Sequence, residues 1–226
     1  MGIISATDWM HPRRARMVLS LAMQSTELNP DLVLVGNAEL SESELRWLHQ
    51  YSGPVVCADG GARWPRPDQI ERIIGDGDSI PASLSSKLEV DADPNLNDLQ
   101  KVLSRTNSDH ATECMIGIGF LGQRWDHSLT NLNELPKHPN LRLVHEQQIL
   151  SGHVNDCQIA HCPAGSDCGI HPITSCHFEF SEGLEYPLNE LNLAPLGRMG
   201  SSNKAIGGPI RIKGQGTYLM IRPWVS

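Results

Sequence analysis

Two aspartates, Asp76 and Asp78, flank Gly77 directly after the apolar run Arg72-Ile73-Ile74-Gly75. In an extended segment residues two apart project the same way, so both carboxylates can face one cation. Magnesium takes oxygen ligands and commonly uses one or two carboxylates together with substrate phosphates and water. Gly77 leaves room for a ligand to reach the backbone, although the same Asp-Gly-Asp-Ser run also makes an ordinary loop in which the aspartates cap a turn. A third acid, Asp59, follows another apolar run and precedes Gly60 and Gly61, small residues that admit a phosphate or simply form a tight turn. Further on, Gly122-Gln123-Arg124-Trp125-Asp126-His127 offers a guanidinium that can clamp phosphate. Its carboxylate can bind metal or orient a hydroxyl, or the two can form a plain surface pair. His127 reads as a structural hydrogen-bonding group rather than a base. The chain carries neither a full dinucleotide fingerprint nor a Walker lysine motif.

These groups need a scaffold that brings them to one place. Asp31–Gly36, Pro54–Ala58, Arg72–Gly75 and Cys114–Ile118 read as buried strands, apolar almost throughout. Helical patterns separate them. Ser41 and Glu44 form a capping box ahead of Leu45 and Leu48; Asn97 or Asp98 opens a helix carrying Leu99, Val102 and Leu103; a third helix spans Ser128 to Leu135. Such alternation predicts a parallel sheet covered on both faces, with ligands at the carboxyl ends of its strands. Asp59, Asp76, Asp78 and the Arg124–His127 run all fall at such ends.

After about Leu150 the helical period disappears. Gln158–His161, Ser175–Phe180 and Thr217–Ile221 read as strands, and Pro163–Ser166, Ser181–Gly183 and Lys213–Gly216 as turns. The predicted class is therefore α/β: an N-terminal parallel-sheet domain over 31–150, then a small antiparallel β-sandwich over 151–226. Residues 1–30 form an extension. There Arg13, Arg14 and Arg16 precede a short apolar run; Asp8 and the absence of a clean cleavage site favour a surface helix over a signal peptide.

Over 226 residues, 39% are hydrophobic and 19% charged, an ordinary globular composition. A formal net charge of −8 argues against a nucleic-acid partner. No apolar run approaches the roughly 20 residues that span a bilayer, so no membrane partner is expected. Cys162, Cys168 and Cys176 lie near His161, His171 and His177, but their spacing fits no zinc pattern. Reduced, buried thiols in a cytoplasmic protein are the expected reading of the six cysteines.

In chain order, Leu34-Val35-Gly36, Ala58–Ala62, Ile74–Ile80, Gly122–His127, Gly183-Leu184-Glu185-Tyr186-Pro187-Leu188 and Gly200-Ser201-Ser202-Asn203 resemble the motifs of thiamine pyrophosphokinases. The resemblance runs from about Val33 to Ile221. It implies an α/β ATP-binding domain followed by a β-sandwich, in a homodimer with thiamine between subunits. The implied reaction moves pyrophosphate from ATP to thiamine with magnesium. Asp76 and Asp78 would be metal ligands, Asp59 with Gly60 and Gly61 would lie beside the nucleotide phosphates, and Arg124 and Asp126 would belong to the catalytic pocket. Ser202 and Asn203 would contact the acceptor, and Tyr186 would stack on the cationic thiazolium ring. The family's Gln-Asp-x-Thr-Asp segment reads Pro94-Asn95-Leu96-Asn97-Asp98 here, so only Asp98 keeps its carboxylate and inherits both a metal and a catalytic role. Asp98 and Asp126 are both open as proton acceptor. That departure also leaves two alternatives: another small alcohol such as a pterin as acceptor, or a thiamine- or nucleotide-binding relative without turnover.

Overall fold

Short runs of Val, Ile and Leu bury most readily when a sheet is covered on both faces, and this sequence supplies several. The computed structural model describes residues 30–106 and 112–224, so the helix expected ahead of residue 30 lies outside the described residues. The strands are β1 (Leu32–Val35), β2 (Val55–Ala58), β3 (Ile70–Gly75), β4 (Leu88–Val90), β5 (Met115–Ile118), β6 (Leu141–His145), β7 (Gln148–Val154), β8 (Cys157–Cys162), β9 (Gly169–Pro172), β10 (Cys176–Glu182), β11 (Leu191–Leu193), β12 (Gly208–Gln215) and β13 (Thr217–Pro223). The helices are α1 (Glu42–Gln50), α2 (Asp98–Thr106) and α3 (Trp125–Glu134).

One sheet has the order β4-β3-β2-β1-β5-β6-β7-β13-β9, parallel from β4 to β6 and antiparallel beyond. The second is antiparallel, in the order β11-β10-β12-β8. Every residue of β1, β2 and β5 is buried. Leu32, Leu34, Val56 and Met115 form one core layer with Leu99, Val102 and Leu103 of α2. Val33, Val35, Val55 and Ile116 form the opposite layer with Leu48 of α1 and Tyr51. Each such aliphatic side chain contributes about 1.5–3 kcal/mol on burial. The predicted capping box opens α1: Glu44 N donates to Ser41 Oγ, and Ser41 N donates to Glu44 Oε2.

The expected division at residue 150 falls inside β7, and β9 and β13 from the second half extend the large sheet. A sandwich core lies between this extension and the smaller sheet: Ile170, Tyr218 and Met220 meet Ile159, Phe178, Ile210 and Ile212. Lys213–Gly216 is not a turn throughout. β12 runs to Gln215 and the chain reverses at Gly216, whose φ of 117° suits glycine. Gly214 lies within the strand, paired with Phe178 of β10, and a Cβ there would lie 2.5 Å from the His177 carbonyl oxygen.

In a parallel sheet all carboxyl ends share one rim. The chain leaves β1 for β2, β3 and β4 on one side, then crosses to β5 on the other, so the strand order reverses beside β1. That reversal point is where open α/β sheets bind ligands. Behind it, Asp59–Arg63 forms a 3₁₀ turn seated on the end of β1: a Cβ at Gly61 would lie 2.4 Å from the Val35 carbonyl oxygen and 2.8 Å from that of Gly36. Both neighbours are backbone and cannot move aside cheaply. Gly61→Ala is expected to lower unfolding free energy by about 2–3 kcal/mol in urea titration.

Candidate active site

Parallel strand ends deliver the acids. Asp59 follows β2 and Asp76 follows β3, which pair in register with Ala58 beside Ile74. Oxygens of Asp59, Asp76 and Asp78 lie within 4.8 Å of one another, the one such group of potential metal-holding side chains among the described residues. Two backbone features permit this. Gly75 has no Cβ to collide with that of Asp59, which would lie 2.7 Å away. Gly77 turns at φ 84°, presenting its N–H to Asp59 Oδ1 at 3.2 Å. Asp78 N donates to Asp76 Oδ1 at 3.3 Å, and Ser79 Oγ donates to Asp78 Oδ1 at 2.7 Å.

The electrostatics of this trio are unfavourable without a cation. Burial raises the Asp59 carboxyl above the ordinary range, and the charges of Asp76 and Asp78 raise it further. Asp78 is held below the ordinary range, chiefly by the Ser79 hydroxyl. Asp59 also sits at φ 38°, a left-handed conformation that aspartate tolerates at a cost. Three hard oxygen donors, half-exposed to exposed and crowded within 4.8 Å of one another, have the chemistry of a site for a small divalent cation.

Beside the trio, across Asn37, lies a cleft of about 240 Å³. Gly60 packs against the Asn37 side chain, and Arg63 donates to the Asn37 carbonyl oxygen at 2.9 Å. The cleft is lined by Asn37 and Ala38 after β1, Asp98 at the start of α2, Gly119–Arg124 after β5, and His127 and Ser128 of α3. It therefore occupies the reversal point of the sheet. The amino ends of α2 and α3 both border it, an arrangement that favours anions.

Each residue singled out from the sequence has a distinct position. Asp98 lines the cleft but stands outside the carboxylate trio, because it is the first residue of a helix capped by Asn97. Asn97 and Gln100 exchange hydrogen bonds, Gln100 N to Asn97 Oδ1 and Asn97 N to Gln100 Oε1, both 3.0 Å. Asn95 turns its amide onto Asp93 Oδ1 at 2.9 Å. Gly60 and Gly61 are buried under the end of β1 rather than forming an open cradle. Arg124 reaches the cleft, and Asp126 grips it with both oxygens; Nε lies 3.1 Å from Oδ1. That grip drives the Asp126 carboxyl down to about 2.

The second-half residues gather elsewhere. Asn203 is only 4% exposed, and its amide is taken up by the main chain: Oδ1 accepts from Tyr186 N at 3.0 Å and Lys204 N at 2.9 Å, while Nδ2 donates to Tyr186 O at 2.7 Å. The Tyr186 side chain thus stands on a clamped backbone with 58% of the residue exposed. Ser202 lines a separate groove of about 720 Å³ with Ser201, Lys204 and Arg222. That groove lies on the same rim as the acids, since β13 runs parallel to β6 through two antiparallel pairings. Asn37 and Asn131, which line the first cleft, carry no motif signal that sequence reading could have used.

Removing one charge from the trio should relieve repulsion, and asparagine also suits the left-handed backbone of Asp59. Asp59→Asn is expected to raise the metal-free melting temperature by about 1–3 °C at pH 7. Because the folded-state carboxyl is raised, the wild-type penalty grows as pH climbs past the ordinary carboxylate range. The difference between variant and wild type should therefore shrink towards pH 4, as thermal scans at both pH values will register.

Comparison with known proteins agrees with this geometry. The family model described as "Thiamin pyrophosphokinase, catalytic domain" matches residues 46–145, the span that holds Asp59, Asp76, Asp78, Asp98, Arg124 and Asp126. Thiamine pyrophosphokinase 1 of Arabidopsis thaliana is 27% identical over 79% of this chain and 80% of its own length. Thiamine pyrophosphokinase 3 of Oryza sativa subsp. japonica is 26% identical over 66% of this chain and 69% of its own. The fold matches the crystal structure of thiamin pyrophosphokinase from Geobacillus thermodenitrificans with a TM-score of 0.70, covering 86% of this chain and 98% of that one at 24% identity. The yeast thiamin pyrophosphokinase structure matches with a TM-score of 0.69 over 88% and 90% of the two chains at 14% identity. With the motif order along the sequence, these likenesses make the chain similar to thiamine pyrophosphokinases, in sequence over residues 46–145 and in overall fold.

Proposed function

We propose that the protein transfers a pyrophosphoryl group from ATP to thiamine, yielding thiamine diphosphate and AMP. The observation that carries this reading is the carboxylate trio at the strand ends, set beside a cleft headed by two helix amino termini. Asp59, Asp76 and Asp78 would hold magnesium, which neutralises phosphate charge and withdraws electrons from the reacting phosphorus. The chain's own groups do the positioning. Arg124 can donate two hydrogen bonds to phosphate oxygens, and the first-turn N–H groups of α3 add donors without reorganisation.

In the reaction the thiamine hydroxyl oxygen bonds to the β-phosphorus as the bond from that phosphorus to the α,β-bridging oxygen breaks. The bridging oxygen leaves with AMP, and the hydroxyl proton must go to a base. Asp126 is poorly suited: its oxygens are engaged by Arg124 and its affinity for a proton is low. Asp98, in the cleft, is the better acceptor. Asp126 then acts through Arg124, fixing the guanidinium. The altered segment 94–97 is compatible with turnover because Asn97 still caps α2 and so keeps Asp98 at the mouth of the cleft.

Tyr186 does not line the cleft, and its exposed ring suits contribution to the acceptor site of a second copy. The proposed working form is therefore a homodimer with thiamine between subunits. All six cysteines are buried free thiols, which suits a reducing compartment, and we assign the protein to the cytoplasm. Among the described residues no helix is long and apolar enough to cross a membrane.

Incubation with thiamine, magnesium and ATP should yield AMP and thiamine diphosphate in equal amounts by chromatography. Asp76→Ala is expected to lower the rate at least about 10³-fold while leaving the circular dichroism spectrum unchanged. ADP as the product, or AMP release independent of thiamine, would refute the reaction. Asp126→Asn should cut kcat by about 10- to 100-fold and leave the KM for thiamine within twofold, since it loosens Arg124 without touching the acceptor.

A further inference from the structure

Two elements that border the cleft, the start of α2 and the β5–α3 loop, are far apart in sequence and have no covalent reason to keep a fixed separation. One amide joins them. Asn131 of α3 is 5% exposed; its Nδ2 donates to the Phe120 carbonyl oxygen at 2.7 Å, and its Oδ1 accepts from Asn97 Nδ2 at 3.0 Å. Asn97 is the residue that caps α2 through Gln100. A second tie runs parallel to the first: Gln100 Nε2 donates to Oε1 of Glu134, itself 5% exposed and braced by Lys137 at 2.9 Å. Asn131 therefore touches all three segments that carry the cleft's charged groups: α2 with Asp98, the loop leading to Arg124, and α3.

We infer that Asn131 is a positioning residue that sets the separation of the two helix amino termini, and so the placement of Asp98 relative to Arg124 around the triphosphate. Direct nucleotide contact is not its task. Its oxygen and one of its N–H groups are engaged by protein partners on either side of it. A buried amide with both ends engaged fixes geometry, because losing either partner strands a polar group away from water. The chemistry also explains why an amide stands here: a carboxylate would set an oxygen against the Phe120 carbonyl, and an aliphatic side chain would leave both partners unmatched. The inference rests on the nucleotide reading of the cleft made above.

The test is direct binding of a non-hydrolysable ATP analogue with magnesium, by calorimetry, to wild type, Asn131→Ala, Asn97→Thr and the double variant. Threonine at 97 keeps a capping hydroxyl but lacks the amide that reaches Asn131. Asn97→Thr is expected to weaken binding about tenfold and Asn131→Ala at least as much, since it also strands the Phe120 carbonyl. The double variant should lose no more than Asn131→Ala, because the link between the two is already cut. In steady state the KM for ATP should rise while the KM for thiamine stays within twofold. Binding within twofold of wild type, or losses that add in the double variant, would overturn the positioning role. Loss of affinity for thiamine in proportion to that for nucleotide would also overturn it, as a sign of general loosening. If wild type fails to bind the analogue, the nucleotide reading itself falls. Should Asn131→Ala not fold, Asn97→Thr alone still decides the matter.

Discussion

Like charges forced together at the ends of neighbouring strands are the constraint on which this molecule is organised. Asp59, Asp76 and Asp78 bring oxygens within 4.8 Å of one another, and nothing in their own chemistry favours it. Chain geometry imposes it. β2 and β3 are adjacent and parallel, so the residues just past their carboxyl ends emerge at the same level. Gly75 and Gly77 strip away the steric bulk that would hold the acids apart. The buried aliphatic layers on both faces supply the stabilisation that offsets the repulsion, as functional sites generally require of their scaffolds.

The same geometry explains the division of labour along the rim. Acids collect at the ends of β2 and β3, while the reversal of strand order beside β1 opens a cleft between the β1 and β5 loops. Helix amino termini and Arg124 bring hydrogen-bond donors to that cleft, where Asp98 also stands, beside the three clustered acids. A triphosphate with its cation suits this pairing of donors with a carboxylate cluster better than either component alone. Asp126 pairs with Arg124 through both oxygens and offsets part of its charge, while the neutral Asn131 links Asn97 to the Phe120 carbonyl oxygen.

Much of this was legible in the sequence, for identifiable reasons. β1, β2, β3 and β5 are apolar runs followed by or ending in glycine or aspartate, so both their existence and the acids at their carboxyl ends could be read. Ser41 and Glu44 announced α1 by a local hydrogen-bond pattern that the structure reproduces. β4, with only Leu88–Val90, and β6, with Arg142 inside it, carry too little pattern to be distinguished from loop. The continuation of the large sheet through β13 and β9 depends on long-range pairing that no local signal encodes. Side-chain roles were less legible than side-chain positions. Asn203 carried the motif but serves the Tyr186 backbone, and Asp98 bore the family's carboxylate but stands apart from the trio. Asn131 looked like any polar residue on a helix because its partners, Asn97 and Phe120, meet it only in the folded chain.

The central claim is that the three acids share one divalent cation with the nucleotide. A crystal of the protein grown with manganese and a non-hydrolysable ATP analogue tests it most directly, because manganese scatters anomalously. An anomalous peak about 2.0–2.3 Å from carboxylate oxygens of Asp59, Asp76 and Asp78, and touching the phosphate tail, is the predicted result. A bound analogue whose metal sits away from these three residues would contradict it.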